Sequence, residues 1–240
     1  MATYVLVHGG GSGGWVWGKL APRLRAAGHD VHTPTLTGCG ERSHLLRPDT
    51  DLYTHIDDIL GVLTWESLQA VILVGHSYGG MVITGVADRA PERIRELVYL
   101  DAAIPRDGES LCDLSPELME LARRDARMLN GVEVVLGPDT EAARAAGVGA
   151  ADAEVIAWKG RRQTAHPWIS FAQPLWLTNE AALARIPRTN INCLWTLKMR
   201  PKDKVERALA ADRVFEIDTT HDLMVTEPQR VAEMLLSLAG

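Results

Sequence analysis

Short apolar runs alternate along the chain with stretches in which apolar residues recur every three or four positions. The runs are typical of buried strands, and the spaced stretches are typical of amphipathic helices. Strands that alternate with helices form a parallel sheet covered on both faces, so we expect an α/β fold with a mostly parallel sheet. The pattern predicts strands at residues 4–7, 30–33, 70–74, 97–100, 192–196 and 214–217, and helices at 17–27, near 56–63, 81–89 and 229–238.

Residues 104–187, which we call the cap segment, interrupt this alternation. The segment is helical in pattern, rich in Ala and Arg, and broken by prolines. We expect a helical cap inserted into a core made of residues 1–103 and 188–240, all within one compact unit. The interrupting prolines are Pro116, Pro138, Pro167 and Pro174.

The composition narrows the class of protein. With 46% hydrophobic and 23% charged residues, the chain has the balance of one soluble globular domain. Its 25 Lys and Arg against 31 Asp and Glu give a net charge of -6, which offers no positive field to nucleic acid. Cys39, Cys112 and Cys193 lack the spacing of a zinc site or a disulfide framework. No apolar run reaches the roughly 18 residues of a membrane helix, so we expect a cytoplasmic protein with no membrane partner.

The run Gly75-His76-Ser77-Tyr78-Gly79 matches the motif G-x-S-x-G and stands between a predicted strand and a predicted helix. In this context the motif holds a nucleophilic serine on a sharp turn, where larger flanking side chains would collide. Ser77 is therefore the candidate nucleophile. The alternative is an ordinary serine in a Gly-rich turn.

A serine hydroxyl needs a general base, and in this arrangement the base lies late in the chain, after the last strand. His221 occupies that position, and we predict it as the base, with a solvated loop histidine as the alternative. His8 and His76 each stand at a strand end beside glycine. We expect these two to be structural or to line the substrate pocket.

Two backbone N–H groups are expected to form the oxyanion hole. One belongs to Tyr78, directly after Ser77. The other belongs to Gly10, in the Gly-rich loop after the first strand, where Gly9 also lets the backbone approach the substrate.

The same loop also matches the dinucleotide fingerprint G-x-G-x-x-G through Gly9, Gly11 and Gly14. That fold requires an acidic residue at the end of the second strand, whereas Asp30 stands at its beginning. The histidine and carboxylates at 55–58 have the spacing of a solvated helix face. We therefore predict neither a cofactor nor a metal.

Four stretches together resemble the α/β-hydrolase fold, and within it the subgroup of small bacterial carboxylesterases, plant methyl-ester esterases and hydroxynitrile lyases. The resemblance spans both ends of the chain and weakens across the cap segment. It implies a cofactor-free hydrolase with a Ser–His–acid triad and a helical lid over a mostly apolar pocket. The stretches are His8-Gly9-Gly10 with residues 13–17, residues 34–42, residues 75–81, and His221-Asp222.

The lyases of this subgroup place a threonine directly after the first-loop histidine and a lysine directly after the catalytic histidine. Here those positions are Gly9 and Asp222. A lyase would lack the cation that stabilises departing cyanide, so the resemblance favours an esterase.

The acid of the triad departs from the subgroup pattern. It usually follows the penultimate strand, but the first carboxylate after residues 192–196 is Asp203. Asp101 ends the strand after the nucleophile helix, at the same carboxyl edge of the sheet as Ser77. We favour Asp101 over Asp203, and a structural carboxylate that accepts loop N–H bonds is the alternative for Asp101.

Three tryptophans of the cap segment, Trp158, Trp168 and Trp176, are candidates to line a substrate pocket, although packing of the lid is the favoured use. The sequence thus predicts a serine hydrolase that cleaves a small carboxylic ester or lactone through an acyl-enzyme. A natural-product lactonase, thioesterase or cyclase would use the same residues. A small-molecule binding protein on the same fold is the alternative of another class. Either a monomer or a homodimer is expected.

Overall fold

Nine strands are present in the computed structural model, which describes residues 1–136 and 153–240. Six of them form one sheet in the order β2-β1-β3-β4-β8-β9, and every neighbouring pair is parallel. The predicted parallel α/β sheet is therefore confirmed. The strands are β1 (Thr3–Val7), β2 (Asp30–His32), β3 (Val71–His76), β4 (Ile94–Leu100), β5 (Arg127–Leu129), β6 (Val132–Val135), β7 (His166–Pro167), β8 (Arg188–Cys193) and β9 (Arg213–Ile217).

Helices of the described residues connect the strands and cover both faces of the sheet. Short 3-10 helices lie at Gly14–Lys19, Gly40–Leu45 and Pro91–Arg93. The α-helices are α1 (Ala21–Ala26), α2 (Leu52–Trp65), α3 (Gly79–Arg89), α4 (Leu111–Leu114), α5 (Pro116–Arg124), α6 (Ala153–Gly160), α7 (Ile169–Ala172), α8 (Glu180–Leu183), α9 (Leu194–Met199), α10 (Lys202–Leu209), α11 (Leu223–Thr226) and α12 (Pro228–Leu236).

Strand β1 shows why the central strands are apolar at every position. Val5 and Val7 belong to one apolar cluster, together with residues of α2 and α3. Tyr4 and Leu6 belong to a second cluster, together with residues of α1 and α12. Because successive side chains of a strand point to opposite faces, both faces of the sheet are buried against helices.

The cap segment contains helices α4 to α8 and, in addition, three strands that the sequence analysis does not predict. These strands form an antiparallel sheet in the order β5-β6-β7. The β5–β6 hairpin turns at Asn130 and Gly131, whose φ values are 51° and 80°. A two-residue Asn-Gly loop is a strong hairpin signal because both residues tolerate positive φ. Residues 137–152 of the cap segment, including the predicted break at Pro138, lie outside the described residues.

Two predicted elements differ from the structure in their bounds. The strand predicted at 192–196 is β8, which ends at Cys193, and the following residues begin α9. Parallel pairing with β4, from Leu97↔Arg188 to Leu100↔Ile191, sets this strand earlier than its apolar pattern indicates. The helix predicted at 17–27 is divided into a 3-10 helix and α1, with Leu20 between them.

Candidate active site

Ser77 lies on the sharp turn between β3 and α3. Its φ is 54°, a left-handed conformation that is uncommon for a residue with a side chain. A Cβ atom at Gly79 would lie 2.6 Å from the carbonyl oxygen of Val7, so the turn is packed tightly against the end of β1. The backbone N–H of Ala103 donates to the Ser77 carbonyl at 3.0 Å. Ser77 is thus held, half-buried, at the carboxyl edge of the sheet.

Asp101 directly follows β4 at the same edge and also has a positive φ, 45°. Its backbone N–H donates to the carbonyl of Ile191 in the neighbouring strand at 2.7 Å. Because both strand ends carry a strained residue fixed by backbone hydrogen bonds, Ser77 and Asp101 have little freedom to move apart.

His221 lies in the loop between β9 and α11, with its Nδ1 atom 2.6 Å from Oδ2 of Asp101. The His221 side chain is 20% exposed, and that of Asp101 is fully buried. An ionised carboxylate accepts a hydrogen bond from the N–H at Nδ1, which leaves Nε2 of the imidazole able to take a proton.

The second carboxylate oxygen of Asp101 is satisfied by α9 and the residues directly before and after it. Oδ1 accepts hydrogen bonds from Thr196 Oγ1 at 2.6 Å, Arg200 Nη2 at 2.8 Å and Cys193 N at 3.4 Å. Burial alone would raise the pKa of Asp101, but the hydrogen bond from His221 and the charge of Arg200 lower it to about 2. Asp101 is therefore ionised at neutral pH.

Asp203, the alternative acid, is in a different environment. It lies in α10 with its side chain 63% exposed, and its carboxylate contacts Lys204 at 3.3 Å. The structure brings Asp101, not Asp203, to His221. The residues that take the place of the expected carboxylate after β8 are Thr196 and Arg200, which the sequence analysis does not single out.

His76, predicted to be structural or pocket-lining, contacts the loop of His221. Its Nε2 atom lies 2.9 Å from the carbonyl oxygen of His221, and the two rings are 4.6 Å apart. Burial and the charge of His221 lower the pKa of His76 to about 3, so His76 is neutral and donates to that carbonyl. It braces the backbone of the residue that we predict as the base.

The Gly-rich loop after β1 passes directly beside Ser77. A Cβ atom at Gly9 would lie 2.8 Å from Cβ of Ser77, and one at Gly10 would lie 2.6 Å from Cζ of Phe171 in α7. Among the hydrogen bonds of residues 1–136 and 153–240, none uses the backbone N–H of Gly10 or of Tyr78 as a donor to protein. Within these ranges, neither N–H group therefore has a protein acceptor.

A buried polar layer contacts the residue after Gly10 and the side chain of Tyr78, and the sequence analysis does not predict it. Nδ1 of His166 accepts the N–H of Gly11 at 3.3 Å, and its Nε2 atom lies 2.9 Å from Ser170 Oγ. Nδ1 of His55 lies 2.8 Å from the hydroxyl of Tyr78. Burial lowers the pKa of His55 and of His166, so both rings are neutral. Nδ1 of each ring is the acceptor, and Nε2 of His166 donates to Ser170 Oγ, whose own hydrogen goes to the carbonyl of Pro167.

The three tryptophans of the cap segment have different environments. Trp168 is 6% exposed and lies in the apolar cluster with α2 and α3. Trp158 packs edge-on against Trp15, with ring centroids 5.1 Å apart. Trp176 is 61% exposed and lies beside Gly108 and the hydroxyl of Tyr53. The structure does not bring Trp176 to the residues around Ser77.

Three features of the described residues concern metal ligands, the Gly-rich loop and membrane spans. Within residues 1–136 and 153–240 no group of three or more His, Cys, Asp and Glu side chains is arranged to hold a metal ion. The Gly-rich loop leads into the 3-10 helix Gly14–Lys19 instead of the N-terminus of an α-helix. In the same ranges, no helix is long and apolar enough to cross a membrane.

The fold of the described residues is that of the α/β-hydrolase class. The chain belongs to the alpha/beta hydrolase family, whose model matches residues 4–234. The carbendazim hydrolyzing esterase of Nocardioides sp. (strain SG-4G) is 38% identical over 99% of this chain and 100% of its own length. Salicylic acid-binding protein 2 of Nicotiana tabacum is 40% identical over 42% of this chain and 40% of its own length.

Solved structures support the same fold. The crystal structure of polyneuridine aldehyde esterase has a TM-score of 0.79 at 24% identity and covers 100% of both chains. An extracellular alpha/beta-hydrolase from a Paenibacillus species has a TM-score of 0.78 at 23% identity, with 99% of this chain and 98% of that chain covered. The predicted fold is thus confirmed, and the esterase relatives confirm the prediction of a carboxylic ester hydrolase.

Proposed function

We propose that the protein is a serine esterase that cleaves small carboxylic esters or lactones through an acyl-enzyme. In this proposal Ser77 is the nucleophile, His221 the general base and Asp101 the acid. The observation that carries it is the 2.6 Å contact of His221 Nδ1 with Asp101, on a loop that His76, the residue before Ser77, also contacts. The backbone N–H groups of Gly10 and Tyr78 bind the oxyanion.

The reaction follows from the state of each group. Nε2 of His221 takes the hydroxyl proton as Ser77 Oγ bonds to the ester carbonyl carbon, and the carbonyl oxygen becomes an oxyanion. The imidazolium is stabilised by Asp101, which stays ionised. The C–O bond to the leaving alcohol then breaks, and the alcohol takes the proton from His221. A water molecule repeats both steps on the acyl-enzyme and releases the carboxylic acid and free Ser77.

Esters are the favoured substrates because the relatives are esterases and because an alcohol leaves more readily than an amine. Methyl esters and carbendazim are the first compounds to test, since the named relatives include methylesterases and a carbendazim hydrolyzing esterase. The ring of Phe171, against Gly10, and the buried Trp168 provide an apolar surface on the cap side of the loop.

The test is hydrolysis of a series of p-nitrophenyl esters of increasing chain length, with methyl esters, lactones and carbendazim beside it. Ser77→Ala is expected to lower kcat by about 10⁵-fold or more, since the nucleophile and base act as one unit. A fluorophosphonate is expected to label the parent protein and not the variant. A folded parent protein that neither hydrolyses these esters nor reacts with the fluorophosphonate would contradict the proposal and favour a binding protein.

We also propose a cytoplasmic location and a small-molecule partner. Cys39, Cys112 and Cys193 are free thiols, and Cys39 and Cys193 are buried, which suits a reducing compartment. Alkylation of denatured protein from a cell extract, kept under acid to prevent exchange, is expected to find all three thiols unpaired. The oligomeric state, monomer or homodimer, remains a prediction for light scattering to test.

A further inference from the structure

A buried ion pair joins the cap segment to the loop of His221. Nζ of Lys159, on α6, lies 2.6 Å from Oδ2 of Asp222, the residue directly after His221. The Lys159 and Asp222 side chains are 9% and 6% exposed. Both charges therefore lie out of solvent, next to the proposed base.

Stability does not explain a pair of this kind. Removing two charges from water is costly, and apolar residues of similar volume often stabilise a protein as well or better. A buried Lys is also rare unless it is paired. The position of Lys159 and Asp222 beside His221 gives them a second role.

The carboxylate of Asp222 is surrounded by groups that can be positive. Burial would raise the pKa of Asp222, but the charge of Lys159 lowers it. Asp222 is thus a second ionised carboxylate beside the imidazole, in addition to Asp101 at Nδ1.

Each of the two carboxylates has its own cation. Arg200 Nη2 lies 2.8 Å from Asp101 Oδ1, and Lys159 Nζ lies 2.6 Å from Asp222 Oδ2. The two cations come from different parts of the chain, the end of α9 and the cap segment. Together they balance the two negative charges that flank His221.

Two further titratable side chains of the described residues contact this loop, His76 and Cys193, and both are neutral. Burial and the charge of His221 lower the pKa of His76 to about 3. Burial raises the pKa of Cys193, whose Sγ donates to the carbonyl of Thr219 in the same loop. The charge balance at His221 therefore depends on Asp101 with Arg200 and on Asp222 with Lys159.

We propose that Lys159 is a positioning residue that ties α6 to the loop of His221 and offsets the negative charge of Asp222 beside the imidazole. The inference rests on the proposed role of His221. An unbalanced carboxylate beside the imidazole favours its protonated form, and an unbalanced ammonium disfavours it. Removal of either charge alone thus shifts catalysis along the pH axis, in opposite directions.

The experiment measures kcat/KM for p-nitrophenyl acetate against pH. In Lys159→Met the midpoint of the acid limb is expected to rise by about one pH unit, because Asp222 is left unpaired. In Asp222→Asn it is expected to fall, because Lys159 is left unpaired. The double variant, which removes both charges, is expected to return close to the parent midpoint.

Lys202→Met is the matched control, since the Lys202 side chain is 92% exposed. It makes the same chemical change at the surface and is expected to leave the profile unchanged. Circular dichroism and urea unfolding report on folding separately. If Lys159→Met does not fold, Asp222→Asn and the double variant still give the sign of the shift and its cancellation.

A purely structural pair would change stability and leave the midpoints of the folded variants where they are, which would overturn the inference. Shifts of the same sign in both single variants would also overturn it. The proposed function is tested separately, because it fails only if the parent protein shows no Ser77-dependent hydrolysis and no fluorophosphonate labelling. If the parent protein is active but the acid-limb midpoints of the variants do not shift, the role of Lys159 is contradicted and the proposed function is not.

Discussion

The site is built from two regions that hold their residues by different means. At the strand ends, Ser77 and Asp101 are fixed by backbone hydrogen bonds, and both have positive φ values, 54° and 45°. In the cap segment, Lys159, His166 and Phe171 contact the site through their side chains, and Thr164 adds one backbone hydrogen bond, to the carbonyl of Gly11.

The two regions therefore differ in how they tolerate substitutions. A strained strand end persists because the surrounding sheet over-determines it, so chemistry that needs a fixed geometry is best carried there. Side-chain contacts from an inserted segment can be replaced one at a time. We therefore expect substitutions at the strand ends to lower kcat. Substitutions in the cap segment are expected to change the pH dependence of catalysis and the free energy of unfolding.

The largest effect is expected at the strand end itself. Asp101→Asn keeps the shape of the side chain but removes the charge that orients His221, so kcat is expected to fall by up to about 10⁴-fold. Asp203→Asn, the matched control on exposed α10, is expected to be near normal. Steady-state kinetics with a p-nitrophenyl ester measure both. The reverse result, a severe loss only in Asp203→Asn, would move the acid to Asp203.

The contact between the two regions is expected to have the next largest effect. Gly10→Ala places a Cβ atom 2.6 Å from Cζ of Phe171, which displaces the backbone N–H at Gly10. The loss of one oxyanion donor lowers kcat by about 10²–10³-fold. The double variant Gly10→Ala/Phe171→Leu gives the loop room, and partial recovery of kcat is expected. A Gly10→Ala variant with unchanged kcat would contradict this prediction, because it would show that the Phe171 ring moves aside and leaves the backbone N–H in place.

Within the cap segment, two tryptophans that differ in burial are expected to differ in how much they contribute to the free energy of unfolding. Trp168→Ala removes a side chain that is 6% exposed, and the free energy of unfolding is expected to fall by about 3 kcal/mol. Trp176→Ala, at a side chain that is 61% exposed, is expected to stay within about 0.5 kcal/mol. Urea unfolding compares them. Equal losses would mean that Trp176 is covered in solution.

A smaller effect on stability is expected when the pH is lowered, because His8, directly after β1, then takes up a proton on unfolding. Nε2 of His8 accepts the N–H of Leu36 at 3.0 Å, and burial lowers the pKa of His8 to about 4. Between pH 6.5 and pH 4 the unfolded chain therefore binds a proton that the folded chain does not, so stability falls as the pH decreases through this range. From pH 7 to pH 5, His8 is expected to account for about 2 kcal/mol.

The measurement is the free energy of unfolding in urea at both pH values for the parent protein and for His8→Asn. The variant is expected to lose about that much less stability between pH 7 and pH 5. His44→Asn, at an exposed histidine, is the control and should retain the parent pH dependence. A His8→Asn variant with the parent pH dependence would show that His8 is not buried in its neutral form.

The same two regions differ in what the sequence reveals. The positions of Ser77 and Asp101 could be predicted because each directly follows an apolar strand, and the order of strands is a local pattern. The contacts of Lys159 and His166 join residues far apart in sequence and follow no motif. Only the packing of the cap segment brings these side chains to Asp222 and Gly11.

Some of the elements that the sequence analysis did not predict have a local signal in the sequence. The β5–β6 hairpin is marked by Asn130-Gly131, a turn that hairpins favour, but the surrounding Ala- and Arg-rich pattern indicates helix. The strand predicted at 192–196 includes Trp195 and Thr196, which suit strands by propensity. Pairing with β4 ends the strand at Cys193 instead, which places Thr196 in α9, where it bonds to Asp101.

The insertion point of the cap segment has a further consequence. β4 and β8 are hydrogen-bonded neighbours in the sheet, although the whole cap segment separates them in the chain. The entropy of closing such a connection grows only with the logarithm of its length, about 0.6 kcal/mol for each doubling. Evolution can therefore lengthen, shorten or exchange this connection at little thermodynamic cost. Changes of substrate range are therefore expected to arise mainly between β4 and β8, with the sheet and its strand ends kept as they are.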